Sequence, residues 1–307
     1  MAYIAILDLG SNSTRLSISE VLPGGQFKEV RREKQMTRMA ENMGQGEVKT
    51  LQDSAIKRTL QALADYKAIY ESYPDVTVRA IATAAVRVAS NQVDFLALVK
   101  DLTGVDVQVL TGDMEAYYDY VGARNALKLD NFVLCDMGGG SFELVVVKNG
   151  IAVDLTSIPY GAVSLTEKFH AQDLLSAQNL FKFQGFIQDL INEQLWLFEG
   201  RYLPLVLLGG ANRVVARVEM RRRGQELEDF HGIRMSARSF LNIYTEWLGL
   251  NQAERVAKLG VDGERADIIL GGLTPIAQLI SQLAIPELIF SESGVREGLL
   301  ASSLTEE

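Results

Sequence analysis

Two stretches of this chain carry the same arrangement of an aspartate, a glycine turn and a hydroxyl: IAILDLGSNSTRLSI at the start and FVLCDMGGGSFELVV near the middle. Placing Asp8 on Asp136 also places Gly10 on Gly138, Ser13 on Ser141 and Leu16 on Leu144. In each copy an apolar run (Ile4 to Leu7; Phe132 to Cys135) ends in the aspartate, a small-residue turn follows, and alternation resumes. That pattern predicts a β-hairpin. Glycines such as Gly138, Gly139 and Gly140 let backbone N–H groups converge on an anion. The side chains of Ser11, Asn12, Ser13 and Ser141 add donors, so each turn suits phosphate. An aspartate at the strand end, Asp8 or Asp136, can hold Mg²⁺ directly or through water. Either copy alone reads equally as an ordinary glycine-turn hairpin. The shared spacing predicts a duplicated fold gripping a phosphate chain between its halves.

Two further residues between the hairpins bear on chemistry. The stretch VRAIATAAVRVASN puts Arg87 after a strand and before a helix. A guanidinium there suits bidentate phosphate binding, and equally suits capping a helix at the surface. In TGDMEAYYDY, Glu115 falls in the first turn of a helix, where a carboxylate also simply complements the helix dipole. With Asp113 as the cap, Glu115 is left to orient a water; taken alone, it reads as structural.

The elements that must position these residues form two α/β halves. In the first, a third strand at 26–34 follows the hairpin. A glycine-containing stretch near 43–46 leads to a helix at 51–70, a strand at 76–82, a helix at 91–102, a strand at 105–110 and a helix at 114–127. The second half repeats the order, with strands near 131–136, 142–148 and 150–158 and helices over 161–198. A buried strand at 205–208 then enters a loop, Gly209-Gly210-Ala211-Asn212. Helices near 235–247 and 264–283, a strand at 287–290 and a last helix from Val295 complete it.

Composition narrows the function. A formal charge of −9 argues against a general nucleic-acid binder. With two histidines and one cysteine, a zinc site is improbable, and a divalent metal would be held by carboxylates. His170 and His231 read as surface or hydrogen-bonded residues. Cys135 has no partner for an internal disulfide and sits in a core strand. The N-terminus lacks a secretory pattern and no apolar stretch is long enough to span a bilayer. The expectation is a cytoplasmic protein with no membrane or nucleic-acid partner.

Together the segments DLGSNS, TAAVR, TGDMEA, DMGGGSFEL, LGGANR, ERADIILGGL and SGVREGLL resemble the exopolyphosphatase and guanosine pentaphosphate phosphatase family. The match runs in order over nearly the whole chain. That family belongs to the actin, sugar-kinase and heat-shock-chaperone superfamily. The implied fold is α/β, two duplicated actin-like (ribonuclease H-like) domains with an interdomain cleft. The expected domains are 1–122 and 123–295, with the last helix, 296–307, packing back on the first. The resemblance also assigns roles. Ser11, Asn12 and Ser13 match the first phosphate loop, and Gly138, Gly139, Gly140 and Ser141 the second. Glu115 matches the glutamate that activates water, which reverses its structural reading, and Glu143 a second acidic residue needed for activity. Asp136 matches the aspartate that organises Mg²⁺, with Asp8 its counterpart, and Arg87 a phosphate-contacting arginine.

The implied reaction is hydrolysis of a terminal phosphoanhydride, with Mg²⁺ or another divalent cation as cofactor and water as the attacking group. Neither Ser13 nor Ser141 has a histidine in motif range to make it a nucleophile. The substrate is inorganic polyphosphate or guanosine pentaphosphate, which the motifs do not separate. A homodimer is one assembly open to it. The chain ends soon after Gly298, without the helical extension that many members use to hold long polyphosphate. A different class, a nucleotide- or polyphosphate-binding regulator or an ATP-using kinase of the same superfamily, is opposed by the intact Glu115 and Glu143. Arg221-Arg222-Arg223 reads as a solvated helix end or, less simply, as an attractor for polyanions. Arg15, on an alternating strand, is left ambiguous.

Overall fold

The computed structural model describes residues 2–23, 26–44, 46, 48–225 and 230–303. Gln45, in the glycine-containing stretch near 43–46, and residues 304–307 of the expected last helix lie outside the described residues. Two compact units result. One ends at Met114 and takes in the chain from Leu300; the other runs Glu115–Leu299. The division falls at the first turn of the helix in which the expected boundary, 122/123, also lies.

In the first unit, β1 (Tyr3–Leu9), β2 (Thr14–Leu22) and β3 (Gln26–Gln35) form an antiparallel meander. Beyond α1 (Asp53–Tyr70), β4 (Val76–Ala82) adds parallel to β1. The short α2 (Ala84–Arg87) and α3 (Gln92–Thr103) then lead to β5 (Val107–Val109), giving the order β3-β2-β1-β4-β5. β1 is central and buried along most of its length, as a run such as IAIL requires. β3 is an edge strand, and its many charged side chains guard it against further pairing.

The helix α4 (Gly112–Leu127) leads into the second unit, which repeats this plan. β6 (Phe132–Met137), β7 (Phe142–Lys148) and β8 (Ile151–Ile158) form its meander. β9 (Leu205–Gly209) lies parallel to β6, and β11 (Glu287–Phe290) parallel to β9. One extra antiparallel strand, β10 (Arg234–Ser236), extends the edge, so the order is β10-β11-β9-β6-β7-β8. Even an irregularity is duplicated. The register slips between Ile18 and Ser19 in the first meander and between Val146 and Val147 in the second, which are equivalent positions in the hairpin alignment. A bulge retained in both copies bends both sheets alike. The expected α/β architecture of two duplicated actin-like domains is therefore what the chain adopts.

The remaining helices are α5 (Ala162–Phe169), α6 (Ala177–Asn192), α7 (Gly210–Arg222), α8 (Ala237–Leu248), α9 (Gln252–Leu259), α10 (Ile269–Leu283) and α11 (Val295–Ser303). α10 is buried on nearly all sides, which accounts for the apolar run ILGGLTPIAQLI. No single helix of the described residues is long and apolar enough to cross a membrane.

Several local expectations need correction. The segment 209–212 is no loop: Gly209, at φ +97°, makes the bend and the helix begins at Gly210. A glycine pair reads as a loop in sequence, yet one positive-φ glycine is enough to end a strand. Arg87 stands between β4 and α3 as expected, but it closes the intervening four-residue α2, too short to show periodicity. α9 and β10 were not anticipated, whereas the helices expected over 161–198 are α5, α6 and a 3₁₀ turn.

Cys135 is wholly buried in β6, and burial, followed by the negative charges of Asp136, Glu143 and Asp119, pushes its thiol well above the usual range. Native protein should therefore react with an aromatic disulfide reagent roughly 10²-fold more slowly than denatured protein, at a rate that follows unfolding. Rapid labelling under native conditions would contradict this packing.

Candidate active site

Both hairpin turns close in the same way. A Cβ on Gly10 would lie 2.9 Å from the Ser13 carbonyl oxygen, and one on Gly138 would lie 2.8 Å from that of Ser141. Only glycine allows that approach. Each turn is then held by its carbonyls. Those of Ser11 and Asn12 accept from the amides of Ala40 (2.8 Å) and Arg38 (3.0 Å). Those of Gly138 and Gly139 accept from the amides of Ala162 (2.9 Å) and Val163 (3.0 Å), the first residues of α5. In a trans peptide the carbonyl and the next N–H point in opposite directions. The N–H groups of Asn12, Ser13, Gly139 and Gly140 are thereby turned off the segments that anchor the loops, as an anion cradle needs.

In the first turn Ser11 and Ser13 are buried. Ser11 Oγ accepts from the Ala85 amide at 3.1 Å. Asn12 Nδ2 is a buried donor with no hydrogen-bond partner in the chain, which suits an acceptor ligand. Asp8 and Arg15 are direct cross-strand partners, with Arg15 Nη1 3.8 Å from Asp8 Oδ2, while Arg15 Nε donates to Ser13 Oγ at 3.3 Å. Arg87 Nη1 donates to the Leu110 carbonyl at 2.9 Å, tying α2 to the end of β5. Its guanidinium has a structural task alongside any ligand it meets.

The second unit assembles the acids. α4 is capped by Thr111, whose Oγ1 accepts from the Met114 amide at 3.2 Å, and not by Asp113 as expected. Glu115 is buried in its first turn. Asp119, one turn further along the same face, is completely buried, and neither carboxylate oxygen completes a hydrogen bond. The Val295 amide lies on the side that favours its charged form, weakly. Asp136 and Glu143 face each other across β6 and β7. Both Ser141 Oγ and Ser157 Oγ donate to Glu143 Oε1 at 2.7 Å. Carboxylate oxygens of Asp119, Asp136 and Glu143 lie within 4.8 Å of one another. Two glycines leave room for this: a Cβ on Gly209 would sit 2.8 Å from Asp136 Oδ1, and one on Gly294 would sit 2.7 Å from Asp119 Oδ1.

Repulsion dominates the electrostatics. Burial, followed by the charges of Glu115 and Asp136, raises the Glu143 carboxyl well above the ordinary range, against the opposing hydrogen bonds from Ser141 and Ser157. Burial, followed by Asp136, Glu143 and Glu115, does the same to Asp119. Buried like charges at this spacing call for a proton or a cation. The donor set is all oxygen, and an orphaned buried carboxylate lies within it, so the residues fit a hard divalent ion such as Mg²⁺ or Mn²⁺. Asp8, expected as a ligand, has a guanidinium beside it and lies outside this group. Asp119 was missed; its signal was the spacing of four from Glu115 in TGDMEAYYDY. The arginine triplet resolves towards the solvated helix end: Arg222 pairs with Glu246, and Arg223 bonds Glu219 and the Arg234 carbonyl.

In metal-free protein the raised carboxyl of Asp119 binds a proton that the unfolded chain releases near its ordinary value of 3.8. Its contribution to stability therefore falls as pH rises from that value towards the raised native one. With a chelator present, the melting temperature of wild type relative to Asp119→Asn should drop as pH rises through this window. Mg²⁺ at neutral pH should restore it for wild type but not for the variant. A pH-independent difference would show that Asp119 is not held protonated.

Comparison with known proteins bears on the family and the fold. Residues 17–307 match the Ppx/GppA phosphatase family. The chain is 28% identical over 324 residues to exopolyphosphatase 2 of Mycobacterium tuberculosis, covering 98% of each. It is 27% identical over 302 residues to a bifunctional 3-dehydroquinate synthase/phosphatase of Fusobacterium nucleatum, but spans only 45% of that protein's length. Among solved structures, the Ppx/GppA family member of Aquifex aeolicus superimposes with a TM-score of 0.80 at 27% identity, covering 100% of this chain and 99% of the other. An exopolyphosphatase from Cytophaga hutchinsonii, at 21% identity and over 99% of this chain and 98% of the other, shares the fold with a TM-score of 0.89. The chain belongs to the Ppx/GppA phosphatase family.

Proposed function

We propose that this chain hydrolyses terminal phosphoanhydride bonds, releasing orthophosphate from inorganic polyphosphate by attack of water. The observation that carries the reading is the acidic group of buried Glu115, Asp119 and Glu143 with half-buried Asp136, whose composition suits metal-assisted phosphoryl transfer. The full-length relative named an exopolyphosphatase supports the choice of substrate. Removal of the 5′ phosphate of guanosine pentaphosphate is the alternative, because the same chemistry serves both.

A loose phosphoryl-transfer transition state needs alignment and charge neutralisation more than covalent help. Asp119, Asp136 and Glu143 would hold the divalent cation, which supplies Lewis-acid neutralisation of phosphoryl oxygens when bound. Glu115 holds the attacking water and accepts its proton. Its burial in the first turn of α4 fixes its rotamer and keeps bulk water from competing. In the second unit the outward amides of Gly139 and Gly140 suit phosphate oxygens, and in the first unit those of Asn12 and Ser13 do so, with Ser11, Asn12, Ser13 and Arg87 as side-chain donors. With Asp119, Asp136 and Glu143 committed to the cation they would hold, Glu115 is the carboxylate left to act as a base.

Glu115→Gln keeps size and hydrogen bonding but removes the proton acceptor. Phosphate release, measured with Mg²⁺ on long polyphosphate, tripolyphosphate, guanosine pentaphosphate and ATP, should fall roughly 10²- to 10⁴-fold while the fold is retained. Near-normal release by this variant would defeat the mechanism. A wild type inactive on all four substrates would favour a binding protein.

Arg87→Ala should weaken both substrate binding and stability, since its bond to the Leu110 carbonyl is worth about 1 kcal/mol. The melting temperature and KM, measured together, separate the two effects. Lost stability with unchanged KM would remove Arg87 from the phosphate site.

A further inference from the structure

The two hairpins are duplicates, yet their equivalent serines are wired in opposite directions. Two residues after Ser13 stands Arg15, and two residues after Ser141 stands Glu143. Each of these side chains faces the hairpin's aspartate across the ladder, Arg15 facing Asp8 and Glu143 facing Asp136. Each also bonds the serine two residues back. The chemistry of the bond is reversed between the copies. Arg15 Nε can only donate, so Ser13 Oγ accepts at 3.3 Å and its own proton points elsewhere. Glu143 Oε1 accepts, so the Ser141 hydroxyl spends its proton at 2.7 Å and keeps its lone pairs for another partner.

The neighbours agree with each polarity. Around Ser13 the groups are donors. Ser11 Oγ, like Ser13 Oγ, accepts from the protein and has a proton left to give, and the buried Nδ2 of Asn12 lacks an acceptor. Arg15 also offsets the charge of Asp8, which would otherwise repel an anion. Around Ser141 the charged side chains are acceptors: Asp136, Glu143 and the orphaned, wholly buried carboxylate of Asp119. A donor set suits phosphate, and an acceptor set suits a divalent cation.

We infer that the duplicated serines serve opposite ligands. Ser13 donates to a phosphate group under the direction of Arg15, and Ser141 offers its oxygen to the cation held by Asp119, Asp136 and Glu143. Arg15 is thus a positioning residue for anion binding in the first unit, and Glu143 fills the equivalent place for the cation in the second. This rests on the proposed phosphate chemistry but adds a division of labour that the shared motif hides.

The test uses the full chain and no turnover. Mn²⁺ binding is followed by the resonance of the free ion, and tripolyphosphate binding by calorimetry with a chelator present, for wild type, Ser13→Ala, Arg15→Met, Ser13→Ala with Arg15→Met, and Ser141→Ala. Losing one hydrogen bond should raise a dissociation constant roughly 5- to 10-fold. Ser141→Ala should show that loss for Mn²⁺ and leave tripolyphosphate within about two-fold. Ser13→Ala and Arg15→Met should show it for tripolyphosphate and leave Mn²⁺ within about two-fold. The double variant should be no weaker than the worse single one, because Arg15 acts through Ser13 and through Asp8 at one site. The inference is overturned if either serine shifts the other's ligand, if Arg15→Met leaves tripolyphosphate unchanged, or if wild type binds neither. A wild type that releases no phosphate yet shows this division would defeat the proposed reaction alone. Active protein with the wrong division would defeat the inference alone.

Discussion

Four carboxylates packed into one unit, at Glu115, Asp119, Asp136 and Glu143, are the constraint around which this site is built. Negative charge in a buried place is expensive, and each of these groups makes the next one harder to ionise. The chain meets this with two devices. Ser141 and Ser157 both spend their protons on Glu143, and bare glycines at 209 and 294 leave space beside Asp136 and Asp119. Even so, burial and the charges of Glu115 and Asp136 outweigh those two hydrogen bonds at Glu143. A divalent ion would complete such an arrangement, and binding it would then also stabilise the unit.

Duplication explains why the acids can be placed so closely. Each hairpin is fixed by a central buried strand, a register slip at an equivalent position and a glycine whose bare Cα abuts a serine carbonyl. That scaffold holds the backbone of both turns alike, so side chains at matching positions are free to diverge. At one position they have taken opposite charges, Arg15 in one copy and Glu143 in the other. A single exchange on a rigid frame changes what the neighbouring serine can bind without altering the turn.

The anchoring of the turns also separates structure from chemistry. The carbonyls of Ser11, Asn12, Gly138 and Gly139 are consumed by amides of adjoining segments, which fixes the loops and orients the opposite face of each peptide. In the second unit those amides are the start of α5, so a helix N-terminus that would otherwise leave its N–H groups unpaired serves to hold the loop. Arg87 illustrates the same economy: its guanidinium ties Leu110 to α2 and so fixes the stretch in which it stands.

Much of this was legible in the sequence. Periodicity and the repeated aspartate–glycine–serine spacing determine two similar α/β halves and the central strands. They also mark Ser11 to Ser13, Gly138 to Ser141 and Asp136 as the residues of interest, because hairpin patterns are local, while Glu115 and Glu143 took their roles only from the family resemblance. Asp119 was not legible: a lone aspartate mid-helix looks solvated until the packing of α4 beside Gly294 removes its water. The pairing of Asp8 with Arg15 was hidden in the same way, since a cross-strand partner depends on register, and so was the start of α7 at Gly210. Sequence thus determines which side chains are present and which faces they share within an element. Burial, cross-strand register and the direction in which a hydroxyl spends its proton depend on neighbours distant in the chain, and only the tertiary structure decides them.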